Sequence, residues 1–291
     1  MPNPNPTLAL LISAMWFAVS LPASAEAPAP LRDQPYVDPA TERQTLDFYP
    51  AAGLPDAEQP RPAIVFIHGG AWMKGDKQIA GRIADTFTDS GIHVVSMGYR
   101  LVPDVQWPEN IRDVAAGVDW VMRHAESLDI DPQRITLMGH SAGAHLVALL
   151  GADARWLGEH DRNPADLHAV VLLDGAGYDI PLVVSDNTPV RARIYYQAFG
   201  DQPEDWIDAS PARNVSPDGA NCPTWLSIIN DDWDASHQQS QTLFHALNHA
   251  GQPDTTLLPV KKSHRDVAWS LGNPDDPEAL RIIELAKTAS P

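Results

Sequence analysis

The sequence predicts an α/β fold in which a mostly parallel central sheet is covered by helices on both faces. Short apolar runs alternate with helical segments along most of the chain, and this alternation is typical of parallel sheets. Residues 63–67 are continuously apolar, which suits a strand that is buried on both faces. Finally, Gly139-His140-Ser141-Ala142-Gly143 stands between a predicted strand and a predicted helix.

The predicted elements follow one another in a regular order. Residues 44–49 alternate between polar and apolar and predict an edge strand. Further strands are predicted at residues 63–67, 93–97, 134–138, 167–173, 224–229 and 254–258. Helices are predicted at residues 78–88, 109–127, 144–150, 236–250 and 277–288. Ser236 and Gln239 have the spacing of a capping box. Because neither a repeat nor a change in composition divides the chain, we expect one domain over residues 44–291.

Two segments precede this domain. Residues 8–21 are mostly apolar and Ala23-Ser24-Ala25 follows them, which predicts a signal peptide over residues 1–25. We therefore expect export, to the periplasm or outside the cell, after cleavage near Ala25. Residues 1–7 contain neither Lys nor Arg, so an uncleaved anchor or a disordered tail is the alternative. Residues 26–43 are rich in Pro and Ala and predict an arm over the surface.

The composition limits the classes of partner. The 291 residues include 38 acidic and 20 basic side chains, and the formal net charge of −18 disfavours nucleic acids and anionic membrane surfaces. We therefore expect a small-molecule substrate, with neither a nucleic-acid partner nor a stable membrane anchor. Cys222 is the single cysteine, which excludes an internal disulfide and predicts a buried structural thiol. The oligomeric state is not readable from these features.

The pentapeptide Gly139–Gly143 has the pattern Gly-x-Ser-x-Gly, which forms a nucleophile elbow when a strand precedes it and a helix follows. The two glycines let the backbone pass close to itself, so that the Ser141 hydroxyl is exposed at the carboxyl edge of the sheet. Ala142 places its N–H at a helix start, where partial positive charge gathers. The alternative is a strand-to-helix turn without chemistry.

A serine nucleophile needs a base, an acid that orients the base, and donors for the oxyanion. The small residues after the strand at 63–67 let backbone N–H groups approach a substrate, and we expect Gly70 and Ala71, with Ala142, as the oxyanion donors. Candidate acids follow the strand at 224–229, and a candidate base, His264, follows the strand at 254–258. The candidate acids are Asp231, Asp232 and Asp234. This places them in the chain order Ser, Asp, His.

These motifs resemble those of a known family. His68-Gly69-Gly70-Ala71-Trp72, with Lys74-Gly75-Asp76-Lys77 after it, resembles the HGG-x-W oxyanion motif of α/β-hydrolase esterases, a group that includes carboxylesterases, feruloyl and acetyl esterases and arylformamidases. The segment before the elbow matches through Tyr99-Arg100-Leu101, Pro108, Asp113 and Trp120, and residues 139–146 are similar to the family's elbow. The resemblance extends from about residue 46 to about residue 283. It implies the fold and the reaction type, but not the substrate.

The resemblance also implies which residues complete the site. In the resembling esterases the acid precedes a Gln-Ser pair at the spacing that Asp232 has to Gln239-Ser240, so we expect Asp232 as the acid, with Asp234 as the alternative. The family's histidine corresponds to His264, although Lys261-Lys262-Ser263 stands where a Gly-containing lead-in is usual. We therefore expect a triad of Ser141, Asp232 and His264 that needs neither a metal nor an organic cofactor.

Residues 178–208 interrupt the regular alternation and predict either a cap insertion over the site or an ordinary surface helix. By residue type, the candidates for the pocket wall are Trp72, Tyr178, Tyr196 and Trp233. The predicted function is an exported serine carboxylesterase for short-chain acyl or aryl esters. The alternatives are a carbohydrate esterase that removes acetyl or feruloyl groups, an arylformamidase-like amidase and, from a different class, a catalytically silent binding protein.

Overall fold

The computed structural model describes residues 29–53, 60–185, 189–217, 220–251 and 254–289, so the predicted signal peptide lies outside the described residues. The strands are β1 (Leu31–Pro35), β2 (Thr45–Tyr49), β3 (Arg61–Ile67), β4 (His93–Met97), β5 (Ile130–His140), β6 (Ala169–Leu173), β7 (Thr224–Asn230) and β8 (Asp254–Val260). They form a sheet in the order β1-β2-β4-β3-β5-β6-β7-β8. The strands from β3 to β8 are parallel, whereas β1 and β2 pair antiparallel. The predicted α/β class is confirmed.

Helices cover both faces of this sheet. They are α1 (Ala84–Thr88), α2 (Glu109–His124), α3 (Ala142–Ala152), α4 (Ala154–Gly158), α5 (Ile180–Ser185), α6 (Pro189–Phe199), α7 (Pro203–Asp208), α8 (Asp234–His249), α9 (Asp266–Trp269) and α10 (Pro277–Lys287). Alternate residues of β3 enter opposite cores, as the two-residue period of a strand requires. Val65 packs in the core that contains α2 and α3, and Phe66 packs in the core that contains α1 and α10.

The segment predicted as a surface arm contributes a strand instead. β1 pairs with β2 and forms the edge of the sheet, so β2 is not the edge strand that its alternation predicts. Polar contacts explain the docking: Arg32 Nη1 donates to Asp47 Oδ2 at 2.8 Å, and the buried Lys77 ammonium pairs with both Asp33 and Asp47. The arm is short and polar, and its pairing depends on Asp47 and Lys77, which lie elsewhere in the chain.

The start of α8 also differs from its prediction. α8 begins at Asp234, two residues before the predicted start. Ser236 and Gln239 therefore lie within the first turns and do not form a capping box. Instead, Ser236 Oγ donates to Gly175 O at 3.1 Å, and Gln239 Oε1 accepts from Asp179 N at 2.7 Å. Both side chains hold the loop that follows β6.

The parallel strands end at one edge of the sheet, and the loops that leave this edge carry the candidate chemistry. Ser141 follows β5, Trp233 lies just beyond β7, and His264 lies beyond β8. Within the described ranges, no helix combines the length and the apolar character that crossing a membrane requires.

Candidate active site

Ser141 occupies a strained turn between β5 and α3. Its φ of 56° and ψ of −117° lie outside the regions that L-residues ordinarily adopt. Strain of this kind is retained where surrounding contacts hold it. One such contact is the bond from Ser141 N to Leu173 O, at 3.0 Å, which ties the turn to the end of β6.

Close backbone contacts explain the two glycines of the pentapeptide. A Cβ placed on Gly139 would lie 2.3 Å from Gly143 O, and one placed on Gly143 would lie 2.1 Å from Ile67 O. No real side chain tolerates such distances. The glycines therefore allow α3 to approach both β5 and the end of β3, which brings Ser141 beside the loop at residues 68–75.

His264 lies between the serine and a carboxylate. Its Nε2 is 3.1 Å from Ser141 Oγ, and its Nδ1 is 2.7 Å from Asp174 Oδ2. Because an ionised carboxylate only accepts hydrogen bonds, Nδ1 carries the proton and Nε2 is left to accept from the Ser141 hydroxyl. This is the arrangement of a nucleophile, its base and the acid that orients the base.

The prediction that Asp232 is the acid is wrong. The carboxylate that contacts His264 belongs to Asp174. Asp174 directly follows β6 and is fully buried. Its Oδ1 accepts from Asn230 N at 2.9 Å while its Oδ2 faces His264. Asp232 is exposed on the loop after β7, and the alternative Asp234 is the exposed first residue of α8.

The order of the strands does not decide this difference, because β7 adjoins β8, the strand before His264, whereas β6 adjoins β5, the strand before Ser141. The backbone at the end of β6 contributes to it. A left-handed backbone at Asp174, with a φ of 47°, turns the chain at the strand end. Both candidate positions satisfy the chain order Ser, Asp, His. The signal that identifies Asp174 is a carboxylate directly after the strand at residues 169–173 and before Gly175-Ala176-Gly177.

The loop after β3 curls over the serine. Gly70, Ala71 and Trp72 have positive φ values of 130°, 54° and 60°, and the Gly70 carbonyl accepts from Met73 N and Lys74 N, both at 3.1 Å. Ala71 and Ala142 line the same cavity as Ser141, whereas Gly70 forms the supporting turn. As the first residue of α3, Ala142 has an N–H that no carbonyl within the helix can accept.

His68 stabilises this loop from below. Its ring stacks on Tyr99 with centroids 4.5 Å apart, its Nδ1 donates to Gly69 O at 2.8 Å, and the Tyr99 hydroxyl donates to His68 O at 3.1 Å. Burial lowers the pKa of His68 to about 4. The ring is therefore neutral near pH 7, and the tautomer with a proton on Nδ1 satisfies the Gly69 carbonyl.

A largely apolar cavity of about 220 Å³ opens in front of Ser141. Its walls are Ala71, Trp72, Ala142, Ala176, Val183, Ile194, Tyr195, Trp233 and Ala235, with Ser141 and His264 at its polar end. Two of the predicted pocket residues, Trp72 and Trp233, are therefore at the cavity. Trp233 also packs edge-on against the His264 ring, with centroids 5.1 Å apart.

The other two predicted pocket residues do not line the cavity. Tyr178 is fully buried in the core. Tyr196 is 42% exposed and packs against Trp206. Tyr195 takes the place predicted for Tyr196, because consecutive residues of α6 point in different directions around the helix. The segment at residues 178–208 contains α5, α6 and α7, and it contributes Val183, Ile194 and Tyr195 to the cavity.

Burial keeps two more histidines near the site neutral. It lowers the pKa of His140 and of His145 to about 4. His145 Nε2 donates to Ala209 O at 2.7 Å, and the ring packs edge-on against Trp72.

Burial raises the pKa of the Cys222 thiol to about 12. Across the described ranges, no group of three or more His, Cys, Asp or Glu side chains could hold a metal ion.

A family model described as BD-FAE matches residues 46–247. The chain belongs to the BD-FAE family. This match agrees with the resemblance of the sequence motifs to α/β-hydrolase esterases. Among the curated proteins that are similar to this chain, esterase LipC of Mycobacterium tuberculosis is 30% identical, over 75% of this chain and 57% of LipC. Kynurenine formamidase of Danio rerio is 27% identical, over 76% of this chain and 70% of that enzyme. The chain spans about half the length of most such relatives.

Solved structures share the fold of this BD-FAE member. Esterase B from Lactobacillus rhamnosis has a TM-score of 0.71 at 23% identity, covering 91% of this chain and 89% of its own. A truncated carbohydrate esterase from gut microbiota has a TM-score of 0.69 at 22% identity, covering 91% of this chain and all of its own. At these identities the likeness shows the α/β-hydrolase fold.

The buried histidines predict how stability depends on pH. His68, His140 and His145 each have a pKa of about 4 when folded, and the unfolded chain takes up their protons below about pH 6.5. Their contribution is therefore fully present above pH 6.5 and is lost as the pH falls towards 4. Each should lower the free energy of unfolding by about 1.4 kcal/mol per pH unit within that window.

Urea unfolding between pH 7 and pH 4.5 measures this slope. His145→Gln keeps a donor for Ala209 O but does not titrate, so its slope should be shallower by about one proton. The control is His249→Gln, because His249 is exposed on α8. Parallel curves for the wild type and His145→Gln contradict the assignment of a buried neutral histidine.

Proposed function

We propose that the chain is a serine carboxylesterase that hydrolyses short-chain acyl or aryl esters through an acyl-enzyme on Ser141. The observation that carries the proposal is the chain of hydrogen bonds from Asp174 through His264 to Ser141, at 2.7 and 3.1 Å, at the mouth of an apolar cavity. The relatives named esterase LipC and neutral cholesterol ester hydrolase 1 support the same reaction class.

In the proposed mechanism, His264 Nε2 takes the Ser141 proton as Oγ attacks the ester carbonyl carbon. The carbonyl π electrons move to the oxygen, and the N–H groups of Ala71 and Ala142, with Gly70 as the further predicted donor, stabilise the resulting oxyanion. As the oxyanion collapses, His264 protonates the departing alkoxide and the acyl group stays on Ser141. A water molecule then loses a proton to His264 Nε2 as its oxygen attacks the acyl carbon. When the second oxyanion collapses, the bond from Ser141 Oγ to that carbon breaks, His264 returns the proton to Oγ, and the carboxylic acid leaves. Asp174 holds the His264 tautomer and stabilises the imidazolium.

The size and lining of the cavity support a preference for esters with short acyl groups. Its volume of about 220 Å³ is small, and Val183 and Ile194 form part of its wall. Within the described residues, its lining contains no Asp, Glu, Lys or Arg, so an acyl group that carries a charge would be desolvated without a partner. We therefore propose that the acyl group is uncharged and only a few carbons long.

A formamidase activity is the second candidate, because one relative is named kynurenine formamidase. The formyl group is the smallest acyl group, and the same residues would protonate an aryl amine instead of an alcohol. A carbohydrate esterase is supported by solved neighbours whose low identity shows the fold alone. A catalytically silent protein is disfavoured, because the hydrogen bonds from Asp174 through His264 to Ser141 are of the kind that a serine hydrolase uses. The proposed preference for short acyl esters over these alternatives thus rests on the volume and lining of the cavity.

Export of the enzyme is part of the proposal. The apolar run at residues 8–21 and the Ala-Ser-Ala sequence at 23–25 support it. Edman sequencing of the protein recovered outside the cytoplasm should start at Glu26, and recovery of a chain that starts at Met1 contradicts cleavage.

Substitutions at Ser141 and Asp174 test the proposed reaction. With p-nitrophenyl butyrate, Ser141→Ala should abolish turnover and labelling by a fluorophosphonate probe. Asp174→Asn should lower kcat by about 10⁴-fold, since an amide presents a donor to His264 and favours the wrong tautomer. KM should change little, because Asp174 does not line the cavity.

Asp232→Asn is the matched control. It makes the same chemical change in an exposed carboxylate, the one that the family resemblance implies as the acid. It should keep wild-type kcat. If Asp232→Asn lowers kcat as strongly as Asp174→Asn, the assignment of the acid is wrong. If Ser141→Ala retains activity, the acyl-enzyme mechanism is wrong.

A panel of substrates tests the acyl preference. p-Nitrophenyl acetate and butyrate should exceed the octanoate in kcat/KM, and methyl ferulate, acetylated xylan and N-formylkynurenine discriminate the alternatives. Val183→Ala and Ile194→Ala should each raise the octanoate-to-butyrate ratio by roughly 10-fold, because they remove methyl groups from the wall. Ile207→Ala is the control, since Ile207 is 47% exposed on α7. A wild-type preference for octanoate contradicts the proposal.

A further inference from the structure

His140 contacts the candidate base at two places, although it has no place in the proposed reaction. It is the last residue of β5 and directly precedes Ser141. Its Nε2 lies 2.8 Å from the His264 carbonyl oxygen, and the two rings pack with centroids 4.8 Å apart and planes at 37°. A carbonyl only accepts hydrogen bonds, so Nε2 of His140 must carry the proton.

The remaining nitrogen of His140, Nδ1, faces the loop at residues 68–75. A Cβ placed on Gly69 would lie 3.1 Å from His140 Nδ1 and 2.7 Å from His140 O. The ring therefore fits between the loop after β3 and the loop after β8, and both approach it closely. Burial, together with the proximity of His264, holds the pKa of His140 at about 4. The ring accordingly stays neutral when His264 becomes positively charged.

Other contacts hold the loop of His264 at its two sides. Before it, the Lys262 ammonium pairs with Asp276, at 2.5 Å, and with Glu278 at the start of α10. After it, Val267 N donates to Ser263 O at 3.0 Å. The bond from His140 differs from these, because it acts on the peptide of His264 itself. A small rotation of that peptide would swing the imidazole away from Ser141.

We propose that His140 is a positioning residue that holds His264 at hydrogen-bond distance from Ser141 and Asp174. The hydrogen bond fixes the His264 carbonyl, and the ring contact limits the rotation of the imidazole. His140 is covalently joined to Ser141 and hydrogen-bonded to His264. It therefore fixes the position of the base relative to the nucleophile. The effect on turnover rests on the proposed function, whereas the geometry of His264 can be measured without turnover.

His140→Gln and His140→Met separate the hydrogen bond from the space that the ring fills. The Gln amide nitrogen can reach the place of Nε2 and donate, whereas Met has a similar length and no donor. His140→Met should lower kcat on p-nitrophenyl butyrate by ~10- to 100-fold and leave KM unchanged. His140→Gln should restore most of the turnover. Equal losses in both variants, or wild-type kcat in His140→Met, overturn the proposal.

His168→Met is the matched control. His168 Nε2 also donates to a backbone carbonyl, that of Leu285, at 2.8 Å, but at the opposite edge of the sheet. Its loss should lower the melting temperature and leave kcat unchanged. In a His264→Ala background, His140→Met should cause no further loss of the residual activity, because the effect passes through His264. A full additional loss there indicates a purely structural role and overturns the proposal.

Proton NMR tests the geometry independently of any ester. The bond from His264 Nδ1 to Asp174 should give a low-field resonance, assigned by its loss in His264→Ala. This resonance should persist in His140→Gln and in His168→Met, and should broaden or vanish in His140→Met. Its equal persistence in all three variants overturns the positioning role. If the wild type shows the resonance but hydrolyses no substrate, the proposed function fails while the positioning role stands.

Discussion

The hydrogen bond between His264 and Asp174 is the contact on which the candidate site depends. It joins residues that are 90 positions apart in the chain, at a distance of 2.7 Å. It determines which nitrogen of His264 carries a proton, and therefore whether the other nitrogen can accept from Ser141. Asp174 is fully buried, so its charge must be compensated by the groups around it. Asn230 N and His264 Nδ1 supply that compensation.

Several loops must be held in register for this bond to form. The loop after β6 is fastened to α8 by Ser236 and Gln239, which contact Gly175 and Asp179. The loop before His264 is fastened to α10 by Lys262. Polar side chains of α8 thus satisfy backbone groups of the first loop, and an ion pair at the start of α10 holds the second. These contacts form only where the helices pack beside the loops, which the position of a strand end does not by itself ensure.

The loop at residues 68–75 has a corresponding support from the N-terminal segment. Arg43 donates to Gly75 O at 3.0 Å, and Lys77 joins the loop to β1 and β2 through Asp33 and Asp47. The Lys77 and Asp47 side chains are 8% and 3% exposed, so the loss of either removes a charge that balances the other in a buried position. The segment that composition describes as an arm therefore braces the loop that faces Ser141.

The sequence by itself determined the class of the fold, the nucleophile candidate and the base candidate, because each depends on local pattern. Continuous apolar runs mark buried parallel strands, and Gly139 and Gly143 mark a turn that no side chain tolerates. His264 follows a strand end closely enough for its position to be read along the chain. The sheet position of β1 was not readable, since its polar residues bind partners far away in the sequence.

Only the tertiary structure decided between the candidate acids and among the pocket aromatics. Asp174, Asp232 and Asp234 all follow strand ends in the required chain order. Only Asp174 is buried with its carboxylate at His264 Nδ1, whereas Asp232 and Asp234 are exposed. Tyr195 and Tyr196 differ by one step around a helix, which decides which of them meets the cavity. Local pattern specifies which strands exist, whereas the packing of strands and helices specifies which side chains meet.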